Sequence, residues 1–191
     1  IPLRLVGSEM CIRDSDKAIE KAKGGAGENF ELARYEGYGP GNCSVIIECL
    51  TDNSSRTFND VRLCFTKTKT KIGTQGSVSH MFDHLSILKF SNQDEEKVLD
   101  CLLLADVDVV DIENEENMLT IFSPHDESFK AKQALAEEFG DIDYEVDEIQ
   151  FIAQNTVDLT GDDIELFDTF MEMLQDLDDV QNVFHLSLIH I

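Results

Sequence analysis

Five basic side chains lie within one short stretch of the sequence that contains a single acidic residue, Asp60. Binding to the phosphate backbone of a nucleic acid requires clustered guanidinium and ammonium groups. An ordinary solvated helix and loop would carry the same residue types, so the stretch alone leaves both interpretations open. Its lysines alternate with threonines, and in an extended loop they would share one side. The five residues are Arg56, Arg62, Lys67, Lys69 and Lys71.

A glycine-rich loop follows Tyr35 and has a spacing that invites comparison with phosphate-binding loops. A dinucleotide-binding loop follows a strand and opens a helix, whereas these glycines precede an apolar strand. The proline in the loop stiffens it, and no Lys-Ser/Thr pair follows. The pattern therefore favours a structural turn over a ligand cradle. The loop consists of Gly37, Tyr38, Gly39, Pro40 and Gly41.

Patterns for metal binding and catalysis are weak. His80 and His84 have the spacing of two zinc ligands on a helix, but this stretch is predicted to be strand and turn, where they would be about 13 Å apart. The acidic loop 106–116 lacks the spacing and central glycine of an EF-hand. No GxSxG motif and no Cys/His pair indicates nucleophilic catalysis. We therefore expect no enzyme activity, no metal, no cofactor and no small-molecule substrate.

The cysteines and the apolar segments bear on the compartment. Five cysteines, with no CxxC pair, argue against a disulfide framework or zinc site and favour a reducing compartment. No run of about 18 apolar residues predicts a transmembrane helix. The first seven residues are too short and too broken for a signal-peptide core. We expect a cytoplasmic protein, or a mitochondrial one if the source is eukaryotic, that does not bind membranes.

Charge is distributed unevenly along the 191 residues, whose formal net charge is −24. Residues 1–90 hold 12 Lys and Arg against 11 Asp and Glu, whereas residues 91–191 hold 3 against 28. A uniform charge of −24 would argue against a nucleic-acid partner. The asymmetry instead limits a phosphate partner to the first half of the chain.

The elements that must position these residues alternate between strands and helices. The apolar run 43–50 predicts a buried strand, and strands over 77–82 and 85–90 are predicted to form a hairpin. A helix is predicted over 57–66, with Thr57 near its cap. The order of elements predicts an α+β fold of two antiparallel sheets, each with helices on one face. The last helix and strand would complete the first sheet.

The predicted helix over 57–66 carries an apolar stripe with helical spacing. Phe58, Val61 and Phe65 are expected to face the core. Arg62 lies off this stripe and is expected to face solvent.

Several long strings, in a fixed order, carry a family resemblance. Together they resemble the YebC/PmpR family, described as transcriptional regulators and including the mitochondrial translational activator of cytochrome c oxidase subunit I. The resemblance covers about residues 16–185. The strings are Arg34 to Gly41, Ile46 to Asn53, Arg56-Thr57, Gly73 to Val78, Met81-Phe82 and Leu177 to Val183.

The resemblance implies three domains: a basic helical one, a central α+β one, and an acidic α+β one inserted into the central one. Residues 16–30 would be a remnant of the helical domain and its linker, most of that domain being missing. The central domain would comprise 31–90 plus 158–185, and the inserted one 91–157. Residues 1–15 and 186–191 resemble translated sequencing adaptors and are predicted to be artefacts. Family members often have a Gly-Gly-Asn-like loop where Lys69-Thr70-Lys71 stands.

Three functions remain open. The resemblance implies a transcriptional regulator with DNA binding, or a ribosome- and ribosomal-RNA-binding translation factor that assists elongation. Both need phosphate contacts from the Arg56–Lys71 stretch. The acidic domain would be free to meet basic ribosomal proteins or polymerase. The third function, of a different class, is a protein-interaction adaptor without direct nucleic-acid contact.

Overall fold

The computed structural model describes residues 30–91, 93–115 and 117–188. These residues divide into two compact units. The central unit comprises residues 30–79 and 155–188, and the inserted unit comprises His80–Gln154. The predictions for residues 1–29, an artefact followed by a helix remnant, lie outside the described residues.

The described residues form ten strands and four α-helices. The strands are β1 (Glu31–Tyr38), β2 (Ser44–Thr51), β3 (Lys71–Ile72), β4 (Phe82–Ser91), β5 (Asp111–Glu115), β6 (Met118–Pro124), β7 (Tyr144–Ala153), β8 (Val157–Asp158), β9 (Val180–His185) and β10 (Ser187–Leu188). The helices are α1 (Ser54–Lys67), α2 (Glu95–Leu104), α3 (Ser128–Phe139) and α4 (Asp162–Gln175). The α+β prediction is confirmed.

The central unit is built on a four-stranded antiparallel sheet with strand order β3-β1-β2-β9. Strand β2 is central because its apolar run is buried on both faces, with Val45, Ile46 and Ile47 fully buried. Strand β9 pairs with β2, so the last strand completes the first sheet, as the order of elements predicts. Helices α1 and α4 pack together through Phe65 and Phe170, whose ring centroids lie 4.9 Å apart.

Helix α1 begins earlier than predicted. Asn53 is its N-cap, and the Asn53 side chain accepts a hydrogen bond from the backbone N–H of Arg56. Thr57, predicted near the cap, instead lies inside the helix and is buried. The predicted stripe is only partly correct, since Val61 and Phe65 are buried but Phe58 is 38% exposed.

The inserted unit has a second four-stranded antiparallel sheet, with order β5-β6-β4-β7. Leu88 and Phe90 of β4 pack with Val98 of α2 and Leu135 of α3, so both helices cover one face. The predicted hairpin over 77–90 is wrong, because residues 82–91 form the single strand β4. Since β4 pairs with β6 and β7, this strand belongs to the inserted unit and not to the central domain predicted over 31–90.

The segment that follows β9 also joins the central unit. Leu186 is buried, and β10 pairs with β8 in parallel. The described part of residues 186–191 therefore packs with the fold, although the sequence analysis set this segment aside. Among the described residues, no helix is long and apolar enough to cross a membrane.

Candidate nucleic-acid interface

The five predicted basic residues all lie in the central unit, and all are exposed. Arg56, Arg62 and Lys67 are on α1, Lys69 is in the turn that follows, and Lys71 begins β3. Arg62 faces solvent, as its position off the apolar stripe predicts.

Arg56 differs from the other four because its charge is paired within the fold. Its guanidinium lies 2.7 Å from Asp52 Oδ1 and 3.0 Å from Asp179 Oδ2. Its hydrogen bonds to Asp179 and then to Asp52 raise the pKa of Arg56. The oxygens that a phosphate would supply are thus already provided by carboxylates.

The remaining four cations are Arg62, Lys67, Lys69 and Lys71. Within residues 30–91, 93–115 and 117–188, none of them forms an ion pair. They are therefore free to meet a phosphate group without first breaking a salt bridge.

The predicted extended loop through the lysines is not present. Lys67 ends α1, and Lys69 has a φ of 59°, in the left-handed region. The N–H of Lys69 bonds to the carbonyl of Thr66 and the N–H of Thr70 to that of Phe65, which closes the helix with a Schellman-type turn. Because the chain reverses here, the three lysines do not follow one extended side. Glycine is the usual residue at such a position, and a lysine there costs about 1 kcal/mol.

The glycine-rich loop is packed against apolar side chains. A Cβ on Gly37 would lie 2.7 Å from the Phe65 ring, so only glycine lets α1 approach β1 this closely. Gly41 has a φ of 65°, and its Cβ would lie 2.3 Å from Leu159. Gly39 precedes a short 3-10 turn that starts at Pro40, and the N–H of Gly39 donates to the carbonyl of Cys43 at 2.7 Å. These contacts fill the space that a phosphate would need.

The two tyrosines of this segment hold neighbouring backbone. The Tyr38 hydroxyl donates to the carbonyl of Ser77 at 3.3 Å. The Tyr35 hydroxyl donates to the carbonyl of Ser54 at 3.2 Å, and its ring lies 5.9 Å from that of Phe58.

Glu36, between them, was missing from the predicted set although it lies in the recognised string. Its buried carboxylate accepts hydrogen bonds from the N–H groups of Gly76, Val78 and Ser79 at 2.9 to 3.0 Å. Burial by itself would raise the pKa of Glu36, but these hydrogen bonds outweigh it and the pKa is lowered. The signal that could have found it is an acid placed directly before the first glycine of the glycine-rich loop.

By residue type, the described histidines and cysteines are candidates for metal ligands and nucleophiles. His84 lies in β4 and stacks between His125 and Phe151, with ring centroids 3.9 and 4.1 Å away. No group of three metal-ligating side chains occurs in the part of the chain that the structure describes. Burial raises the pKa of Cys43 to about 11 and that of Cys49 to about 12, so both remain protonated at neutral pH.

Comparison with known proteins identifies this arrangement. A family model described as the second and third domain of TACO1/YebC matches residues 30–186. The chain belongs to the TACO1/YebC family. The match spans both units, so the central and inserted units of this YebC-family chain are its counterparts to those domains.

Relatives of this YebC-family chain include two "probable transcriptional regulatory proteins". That of Hydrogenovibrio crunogenus is 67% identical over 171 residues, covering 89% of this chain and 72% of the relative. That of Alcanivorax borkumensis is 62% identical over 170 residues, covering 89% and 71%. Both names describe probable regulators of transcription.

A solved structure has the same fold as this YebC-family chain. It is a conserved hypothetical protein, Aq1575, from Aquifex aeolicus, with a TM-score of 0.64 and 27% sequence identity. The alignment covers 96% of this chain and 79% of that one.

Proposed function

We propose that this YebC-family protein is a cytoplasmic transcriptional regulator that binds nucleic acid through Arg62, Lys67, Lys69 and Lys71. The observation that carries the proposal is that these four exposed cations have no ion-pair partner among the described residues. Phosphate contacts supply most of the affinity of sequence-tolerant nucleic-acid binding. The names of the relatives supply the regulatory role.

The acidic parts of the chain limit where phosphate can approach. The inserted unit holds 20 Asp and Glu against 4 Lys, and residues 155–188 hold 9 acidic residues and no basic one. Such surfaces repel a polyanion. Among the described residues, productive contact is thereby restricted to α1, the turn after it and β3.

Within that region, we expect the phosphate contacts on the side of α1 that carries Arg62 and on β3, where Lys71 lies. Arg62 and Lys67 are about 140° apart around α1, so they face different flanks. Arg62 shares the flank of Phe58, which contacts Tyr35 of β1, and β1 is the strand that pairs with β3. Lys67 shares the flank of Arg56, which faces Asp179. We therefore test Arg62, Lys69 and Lys71 together.

The variant Arg62→Ala/Lys69→Gly/Lys71→Ala is expected to bind duplex DNA at least about 10-fold more weakly at about 50 mM salt. The slope of log affinity against log salt should also fall by about 2 to 3, one unit for each lost contact. Titrating a labelled duplex by fluorescence anisotropy measures both quantities. Lys69→Gly relieves the left-handed backbone, so a loss of binding cannot be attributed to that change unfolding the chain.

The matched control is Lys97→Ala/Lys130→Ala/Lys132→Ala, which removes the same charge from the inserted unit. It should leave DNA affinity and salt slope unchanged. If both variants lost the same amount of DNA affinity, the loss would reflect net charge alone and not contacts made by Arg62, Lys69 and Lys71. Binding that is absent even at low salt would instead favour an adaptor without nucleic-acid contact.

The physiological target separates transcription from translation. Fractionating a lysate of cells that express the protein should place it with the nucleoid. If the protein instead co-sediments with ribosomes, and the same triple variant does not, a role on ribosomal RNA would replace this proposal.

A further inference from the structure

A groove in the central unit opens to solvent beside the first two turns of α1. It has a volume of about 460 Å³ and is lined by Tyr35, Ser54, Ser55, Phe58 and Asn59. Two of these residues are aromatic and three carry neutral polar side chains. No charged residue lines it.

The aromatic part of the groove is held in place. The Tyr35 hydroxyl donates to the Ser54 carbonyl, and the two rings are tilted by 49° against each other. Phe58 remains 38% exposed although it occupies a position of the apolar stripe. A ring fixed in this way offers a flat apolar surface to a ligand at little cost in conformational entropy.

The polar part of the groove has unused hydrogen-bonding capacity. Among the described residues, neither the Ser54 and Ser55 hydroxyls nor the Asn59 amide has a side-chain hydrogen bond. The Asn59 amide is both a donor and an acceptor, which matches the edge of a nucleobase.

A free cation lies directly beyond the groove. Arg62 follows Phe58 by four positions and Asn59 by three, so the three side chains share one side of α1. Arg62 is exposed and has no ion pair within the described residues. Aromatic ring, amide and guanidinium thus lie within about one turn of α1, and they can contact the face of a base, a polar group on the base and a phosphate respectively.

We propose that this groove takes an unpaired base of a single-stranded nucleic acid, which stacks on Phe58 while the adjoining phosphate meets Arg62. A base within a duplex is stacked on both faces and paired at its edge, so only a single strand can enter. This inference rests on the proposed nucleic-acid binding and specifies its substrate class.

The chain contains no tryptophan, so Phe58→Trp places a single indole in the groove. A single-stranded DNA or RNA oligonucleotide of about 12 nucleotides should quench its fluorescence, because a base stacks on the indole. The same sequence as a duplex should not. Leu63→Trp is the matched control, since Leu63 is an exposed apolar residue on the other flank of α1 and should show no quenching.

Measuring the affinity for single strands tests the same stacking contact without introducing a tryptophan. Phe58→Leu keeps an apolar side chain but loses the aromatic face, and it should weaken single-strand binding about 5- to 100-fold. Phe58→Tyr should restore binding, and both variants should bind duplex DNA as the parent does.

The outcomes distinguish this inference from the function on which it rests. If the Arg62/Lys69/Lys71 variant loses binding but Phe58→Leu binds single strands normally and Phe58→Trp is not quenched, the groove proposal is overturned and the phosphate interface stands. If no variant changes any binding, both fail. Equal quenching by duplex and single strand would also overturn the base-stacking geometry.

Discussion

Glu36 is a single residue on which the loop between β3 and β4 depends. Its carboxylate accepts three backbone N–H bonds, and its own carbonyl accepts a fourth from Gly73 at 2.7 Å. Together with the fully buried side chain of Val78, these bonds hold the loop on the sheet. The string Arg34 to Gly41, which carries part of the family resemblance, therefore includes a residue that holds this loop in place.

Glu36→Gln is expected to destabilise the fold by about 2 kcal/mol at neutral pH, since an amide offers only one acceptor oxygen to three donors. The pKa of Glu36 is lowered in the folded state, so its contribution is full above its unfolded value of about 4.3 and is lost as pH falls through the lower folded value. Urea unfolding at a series of pH values from about 7 to about 3 should show parent and variant converging at the acidic end.

Glu31→Gln, on the same strand but exposed, serves as the control for Glu36→Gln and should match the parent throughout. A gap that stays constant across the acidic range would contradict the role assigned to the Glu36 carboxylate.

At the scale of elements, a buried polar cluster joins the start of α1 to the segment before β9. Asp179 Oδ2 lies 2.7 Å from Thr57 Oγ1, 3.2 Å from Thr51 Oγ1 and 3.0 Å from Arg56. The carbonyl of Asp179 also accepts from the N–H of Leu50 at 2.8 Å. The contact joins positions more than 120 residues apart in the chain and closes the central unit around the insertion.

Asp179→Ala is expected to lower the free energy of unfolding by about 2 to 3 kcal/mol, because it removes the charged acceptor shared by the Thr51 and Thr57 hydroxyls. Arg56→Ala should cost less than Asp179→Ala, since the Arg56 side chain is half exposed and Asp179 keeps its contacts with both threonines. Urea denaturation compares the two. Equal losses would show that the ion pair, and not the hydroxyl contacts, dominates the cluster.

At the scale of the whole molecule, the balance of 15 basic and 39 acidic residues acts on stability as well as on binding. Like charges repel more strongly in the compact state than in the unfolded chain. Raising sodium chloride from about 0.1 to about 1 M shortens the Debye length from about 10 to about 3 Å, so it should raise the Tm by a few degrees. Nucleic-acid affinity should fall over the same range.

Thermal unfolding followed by circular dichroism gives the Tm at each salt concentration. A sucrose series of matched osmolality separates screening from general solute exclusion. A Tm that falls or stays level with salt would show that acidic repulsion does not limit the stability of this chain.

The sequence alone was enough to predict the α+β class and the strand that completes the first sheet. The apolar run of β2 and the stripe of α1 are local signals, and local signals report which elements form. It could not place β4, because a strand that lies next to a unit boundary in the chain looks the same in sequence whichever sheet it joins. Nor could helical spacing reveal that Phe58 stays partly exposed, since spacing shows which residues share a helix face and not which of them a neighbouring element covers.

The sequence by itself determined the types and order of the chemistry-bearing residues: a basic stretch, an acidic remainder, and a glycine-rich loop suited to a turn. Only the tertiary structure decided which of the five cations are available. Arg56 pairs with Asp52, four positions before it, and with Asp179, which is distant along the chain, whereas Arg62 pairs with neither. Charge is a property of a residue, but its availability depends on the partners that folding brings within reach.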